Sequence, residues 1–193
     1  MKKILLIVTM EAEIPDGFKS ERDISVLVTG SGMINVEKKL KSFLERNDVD
    51  FIVCTGFCGG TTDNFGIGQL IVANQAIYGQ KEIKLAIPKK MVKRLGKMIN
   101  LKIEKIQSFD HLVTSRDKIK KGVMAVDMEV YKIAQIAKEQ KIPLIIAKVI
   151  SDIIPITPVI RAEQISEIKK NMVSAKTTIN LFWEIAKNIL KTS

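Results

Sequence analysis

Acids recur in this chain of 193 residues beside small, hydroxyl or glycine neighbours, in segments that each follow a short apolar run. Glu11 and Glu13 follow the first such run, Asp127-Met128-Glu129 a later one, and Ser151-Asp152 the last. Two glycine segments, Thr29-Gly30-Ser31-Gly32 and Gly56-Phe57-Cys58-Gly59-Gly60, stand after two other runs. A single Asp after a strand is ordinarily a helix cap, and glycine ordinarily supplies a turn. Several carboxyl groups converging is a different matter. Such a set moves protons and grips hydroxyls, chemistry suited to a neutral, oxygen-rich substrate. Neither glycine segment is a phosphate-cradling loop, because the Gly-Lys-Ser/Thr signature is missing. His111 is the only histidine, and with Cys54 and Cys58 it leaves too few ligands for zinc, so no metal and no cofactor are expected.

The elements that must present these acids follow from periodicity. Lys3–Thr9, Ser25–Thr29, Phe51–Thr55, Leu70–Ile77 and Leu144–Ser151 are short, β-branched, apolar runs that read as buried strands, with Val123–Val126 a further one. Val36, Leu40, Phe43 and Leu44 share one helical face. A second helix is expected from Lys89 to Met98, starting near Pro88, and a third on Val130, Ile133, Ala134 and Ala137, ended before Pro143. The last and longest helix places Ile165, Ile168, Met172, Ile179, Phe182, Ala186 and Ile189 inward. Alternating strands and helices predict an α/β protein, a three-layer α/β/α arrangement on a central mixed sheet. Residues 1–193 read as one domain, since no linker, repeat or low-complexity segment interrupts them. In such sheets reactive groups gather beyond the carboxyl ends of the strands, which is where the acids stand.

Composition narrows the function classes. A formal charge of +10 invites a nucleic-acid reading, but the lysines are scattered and aromatics supply only 5% of residues. That pattern fits a solvated lysine-rich surface better than a base-stacking groove, and no nucleic-acid partner is expected. No apolar run approaches the roughly 20 residues of a membrane span. Ile4–Val8 is too short for a secretion signal and is followed at once by Glu11 and Glu13. Two unpaired thiols and no leader predict a cytoplasmic protein.

The order of the motifs carries a resemblance. Met10-Glu11-Ala12-Glu13, Thr29-Gly30-Ser31-Gly32, Thr55–Gly60, Gly66–Val72, Ser108–Val113, Ala125–Glu129 and Val149–Asp152 resemble, in sequence, the motifs of methylthioadenosine/S-adenosylhomocysteine nucleosidases. The chain is thereby similar to the nucleoside phosphorylase/nucleosidase superfamily, with some likeness to its hopanoid-associated phosphorylase branch. The resemblance implies cleavage of the N-glycosidic bond of a purine, and specifically adenine, nucleoside with water as nucleophile. It implies Asp152 as the acid that protonates or hydrogen-bonds the base, oriented by Ser151, and Glu13 as the general base. Glu129 would bind the ribose hydroxyls, helped by backbone at Met128, while Leu112 and Val113 line the base. Phe57, Cys58 and Gly59 would border the substrate. The phosphorylases of the superfamily clamp phosphate with arginines, and Cys54 and the Glu11–Pro15 segment offer none. A phosphorylase using Lys148, which replaces an arginine of the motif, is the alternative, and a binding protein without activity is another, favoured by Phe57 in place of serine. In the nucleosidases it resembles, a second subunit covers the 5′ end of the nucleoside, so a homodimer is implied, with apolar material near Met33, Ile34 and the Phe65–Ile67 turn.

Overall fold

The computed structural model describes residues 2–87, 89–156 and 161–191. These residues form eight strands and four helices in the order β1 (Ile4–Val8), β2 (Ile24–Val28), α1 (Met33–Leu44), β3 (Phe51–Gly60), β4 (Leu70–Tyr78), β5 (Lys81–Lys84), α2 (Lys89–Leu95), β6 (Leu101–Ser108), β7 (Ala125–Asp127), α3 (Val130–Glu139), β8 (Leu144–Ile153) and α4 (Arg161–Lys191). The expected helix start at Pro88 lies outside the described residues. All five residues of β1 are buried, as an apolar strand covered on both faces must be.

The sheet runs β2-β1-β3-β7-β6-β4-β5, with β8 pairing both β3 and β4. Strands β3, β7, β6, β4 and β8 therefore close into a ring, from which β1 and β2 extend. Pairing is mixed, as expected: β1, β2, β3 and β8 are mutually parallel, whereas β7 meets β3, and β4 meets β8, antiparallel. Helices α1 and α3 cover one face, burying Met33, Val36, Leu40, Val130, Ile133 and Ala137 against Ile7, Cys54 and Ile146. Helices α2 and α4 cover the other, where Met91, Leu95, Ile179, Phe182 and Trp183 meet Leu6, Val53 and Val149. The outcome is the three-layer architecture.

Two strands, β5 and β6, escape the apolar-run reading because Lys-Glu-Ile-Lys and Leu-Lys-Ile-Glu-Lys-Ile-Gln-Ser are mostly polar. β3 runs on through Gly56–Gly60, where the sequence suggests a turn. The reason is crowding. A Cβ on Gly56 would lie 2.5 Å from Glu13 Oε1, and one on Gly59 would lie 2.6 Å from Ile154 Cδ1. These glycines let other groups approach the strand, and a register shift between Cys58 and Gly59 marks a bulge there. The second helix ends at Leu95 rather than Met98. The beginning of α4 stands off the core, with Ile165 38% exposed rather than inward.

Candidate active site

Glu13 ends a short 3-10 turn, Glu11–Glu13, directly after β1, and is only 1% exposed. Its Oε2 accepts from the Thr9 N–H (2.6 Å), the Thr9 hydroxyl (2.7 Å) and the Met10 N–H (3.1 Å), and its Oε1 from the Phe57 N–H (2.8 Å). Four donors satisfy a charge that burial would otherwise penalise heavily. A carboxylate has about four lone-pair sites, two on each oxygen, so Oε2 is saturated and the remaining acceptor capacity is on Oε1.

β7 ends in Asp127, which sets the start of α3. Ser108 Oγ donates to Asp127 Oδ1 at 2.6 Å, and the Val130 N–H donates to Oδ2 at 2.8 Å. The Tyr131 N–H in turn donates to Ser108 Oγ at 2.9 Å. These bonds answer donors left unpaired at the head of the helix. They also fix Met128 and Glu129, the two residues between strand and helix. Glu129, 5% exposed, accepts the Gly32 N–H at 2.7 Å. Gly32 caps α1 with φ +92, a left-handed conformation that glycine adopts without strain. The glycine turn thus ties the amino end of α1 to this carboxyl group.

Lys148, on β8 opposite Gly56, is fully buried, and its Nζ makes no hydrogen bond with the described residues. It lies 4.0 Å from Asp127 Oδ2. Burial alone would lower the pKa of this ammonium, but Cys54, Glu13, Asp127 and Glu129 outweigh it, and the lysine is held above its ordinary value. Burial raises Asp127, offset in part by Lys148. Burial likewise lifts Glu129 from 4.5 to about 7, with Asp127 adding to the rise and Lys148 and the Gly32 N–H opposing it. One cation thus faces three carboxyl groups. Burial also pushes the Cys54 thiol up to about 12 and the Cys58 thiol well above its ordinary range, so neither is a nucleophile.

Asp152, 2% exposed, sits near the end of β8, paired with Gly59. Ser151 Oγ donates to Asp152 Oδ1 at 2.8 Å, a shorter bond than its 3.4 Å alternative to the Cys58 carbonyl. The Asn171 side chain of α4 secures the Ser151 carbonyl at 2.9 Å. A small cleft of about 30 Å³ opens here, lined by Gly59, Leu112, Val113, Met128 and Asp152 together with His111 and Asp127. Five of the residues singled out in the sequence thereby share one wall. The Phe57 side chain instead packs into the core beneath α4, and only its N–H serves the site, through Glu13. Cys58 is likewise buried in the opposite core. A larger groove of about 230 Å³, between Lys3, Asp23, Phe43 and Asp48 at the other end of β1, contains none of the acids singled out. Among the described residues no cluster of three or more potential metal ligands is present.

No protein-family model matches the chain. Individual proteins do. A 5′-methylthioadenosine/S-adenosylhomocysteine nucleosidase of Haemophilus influenzae is 24% identical over 73% of each chain. The native structure of futalosine hydrolase of Helicobacter pylori superposes with a TM-score of 0.82 over 97% of each chain, at 18% identity. The Streptococcus pneumoniae MTA/SAH nucleosidase in complex with 8-aminoadenine gives 0.79, covering 95% of this chain and 97% of that one, at 18% identity. The chain thus resembles these nucleosidases in sequence and shares the fold of the nucleosidase and hydrolase structures.

Two sets of residues exceed the sequence reading. Asp127 looks from sequence like one more strand-end acid, whereas its Ser108 and Val130 bonds make it the anchor of Glu129. The residues of α4 that reach the site, Asn171 and Lys176, leave no local signal at all: Lys176 Nζ donates to the Ala12 carbonyl 164 residues away. No helix among the described residues is long and apolar enough to cross a membrane.

Proposed function

We propose that the chain hydrolyses the N-glycosidic bond of a purine nucleoside, with adenine as the base. The observation that carries this reading is the burial of Glu13, Glu129 and Asp152: Glu13 is bonded to Phe57 of β3, Glu129 adjoins Met128, and Asp152, paired with Gly59 of β3, lines a cleft with Met128, Leu112 and Val113. A purine anion leaves poorly, and Asp152, oriented by Ser151, protonates the base at N7 as the bond from N9 to C1′ breaks. The electron pair departs with the base. Glu129 holds the ribose hydroxyls, with backbone at Met128, and the carboxylates stabilise the cationic sugar. Glu13 Oε1 takes a proton from the water whose oxygen bonds to C1′.

Water is favoured over phosphate by the charge of the site. Lys148, the one buried cation there among the described residues, already faces Glu13, Asp127 and Glu129, so a phosphate dianion would meet net repulsion at short range. The names of the relatives, nucleosidases and a hydrolase, support the same reading. The test is base release from adenosine, methylthioadenosine, S-adenosylhomocysteine, futalosine and inosine, in phosphate-free buffer and with added phosphate. Free ribose or its 5′-substituted form in both buffers is the expected product. Sugar 1-phosphate formed only with added phosphate would refute hydrolysis, and release from none of them would refute the assignment.

The assembly belongs to the same proposal: a cytoplasmic homodimer whose second chain closes the 5′ side. Of the apolar material named from sequence, Met33 and Phe65 lie in the core, while Ile34, in the first turn of α1 beside Gly32, is 84% exposed. The contact is therefore centred on Ile34.

A further inference from the structure

Glu13 has a weak local foundation. A three-residue 3-10 turn has poor hydrogen-bond geometry and little stability of its own, and its C-cap, Ile14, is already extended. Its carboxylate is tied to Thr9, Met10 and Phe57, and a second set of bonds holds its backbone. The two carbonyls that flank Glu13, those of Ala12 and Ile14, both accept from Lys176 Nζ, the former at 2.6 Å. Lys176 belongs to α4, and its side chain is 18% exposed. One turn further along α4, Asn180 brackets Asp16: its Oδ1 accepts the Asp16 N–H at 2.9 Å, and its amide donates to Asp16 Oδ2 at 2.7 Å. Asp16 Oδ1 in turn lies 3.6 Å from Lys176 Nζ.

The same helix reaches the other half of the site. Asn171 donates to the Ser151 carbonyl, beside Asp152, and Thr178 donates to the Gly68 carbonyl at 2.7 Å. From Ala175 onward α4 is seated in the core through Ala175, Ile179 and Phe182. It is the rigid body against which both the Glu13 turn and the end of β8 are referenced. We propose that Lys176 is a positioning residue for hydrolysis, its ammonium clamping the Ala12 and Ile14 carbonyls so that Glu13 stays in register with Asp152 through α4. The inference rests on Glu13 being the general base.

Misplacing a catalytic group by about 1 Å can lower turnover about 10²-fold. Lys176→Met keeps the aliphatic stem and removes the donors. It is expected to lower kcat for adenine release by about 10- to 100-fold while KM changes less than about threefold, since Glu129, Met128 and the cleft are untouched. Lys176→Arg, which offers several donors to the two carbonyls, is expected to restore kcat to within about threefold of wild type. Hydrogen exchange gives a second readout independent of turnover. The Thr9, Met10 and Phe57 amides, which donate to Glu13, are expected to exchange faster in Lys176→Met, with amides of β1 and β8 unchanged. Should Lys176→Met fail to fold, Lys176→Leu, which also lacks donors, carries the same test. Unchanged kcat together with unchanged exchange of those three amides overturns the proposal, as does an equal loss by Lys176→Arg. Glu13→Gln separates the two claims: if it retains full activity, the general-base assignment fails; if it is inactive while Lys176→Met is fully active, only the clamp fails.

Discussion

Glu129→Gln tests the electrostatics of the site without needing a substrate. The carboxyl group rises from 4.5 to about 7 on folding, chiefly through burial and then through Asp127. Between those values the unfolded chain is ionised and the folded one retains its proton. Folding therefore takes up a proton, and raising the pH destabilises the native state. The stability linked to this group is fully present below 4.5 and is lost as pH climbs through about 7. At about 1.4 kcal/mol per pH unit, the whole interval corresponds to about 3 kcal/mol. Glutamine keeps an acceptor for the Gly32 N–H but cannot ionise, so it lacks this slope. Urea unfolding of both proteins at pH 5 and pH 8 is expected to show the variant gaining about 2–3 kcal/mol on wild type across that range. A difference constant to within about 0.5 kcal/mol would show that Glu129 is not the titrating group. The same titration has a kinetic face. Only the ionised carboxylate accepts from two ribose hydroxyls, so kcat/KM for adenosine is expected to rise with pH through about 7.

Asp152→Asn preserves shape and removes the transferable proton, so base release is expected to fall by about 10²–10⁴-fold, with the unfolding midpoint nearly unchanged; activity within a few-fold of wild type would remove Asp152 from the mechanism. If Glu129 grips the ribose, 2′-deoxyadenosine strands a buried acceptor worth about 1–3 kcal/mol, and its kcat/KM is expected to fall about 10- to 100-fold below that of adenosine in parallel assays. Gly56→Ala is expected to lower kcat at least about 10²-fold, because φ is +133 and the added Cβ would lie 2.5 Å from Glu13 Oε1; steady-state kinetics at wild-type levels would contradict that geometry. Light scattering at micromolar concentration is expected to show a dimer that Ile34→Lys dissociates, and a fully active 21.6 kDa species in the wild type would refute it.

The sequence discloses this site unevenly, for physical reasons. Buried central strands such as Ile4–Val8 and Leu144–Ile153 advertise themselves, because covering both faces demands a continuous apolar run. Glu13, Glu129 and Asp152 are legible for a related reason, as acids at the ends of such runs. Gly56–Gly60 misleads as to structure, since glycine that admits a neighbouring side chain is spelled the same as glycine that turns the backbone. β6 is hidden because Lys102, Glu104 and Lys105 interrupt any apolar period. The bonds from Asn171 and Lys176 are invisible in principle, being set by how α4 lies on the sheet rather than by any local pattern.

The ring of strands has a consequence for how the molecule comes into being. β3 must wait for β8, as the bond from Thr55 to the Ala147 carbonyl spans 92 residues. At about 5–20 residues per second, that interval of synthesis lasts from about 5 to about 20 seconds. Throughout it, Ile52, Val53 and Cys54 lack the neighbour that completes their hydrogen-bond ladder. An unpaired apolar edge of this kind is a template for association with other chains, and pairings so distant in sequence form slowly. The nascent protein therefore carries its greatest aggregation hazard along the very strand that later receives Glu13 at Phe57, until the arrival of β8 removes the edge.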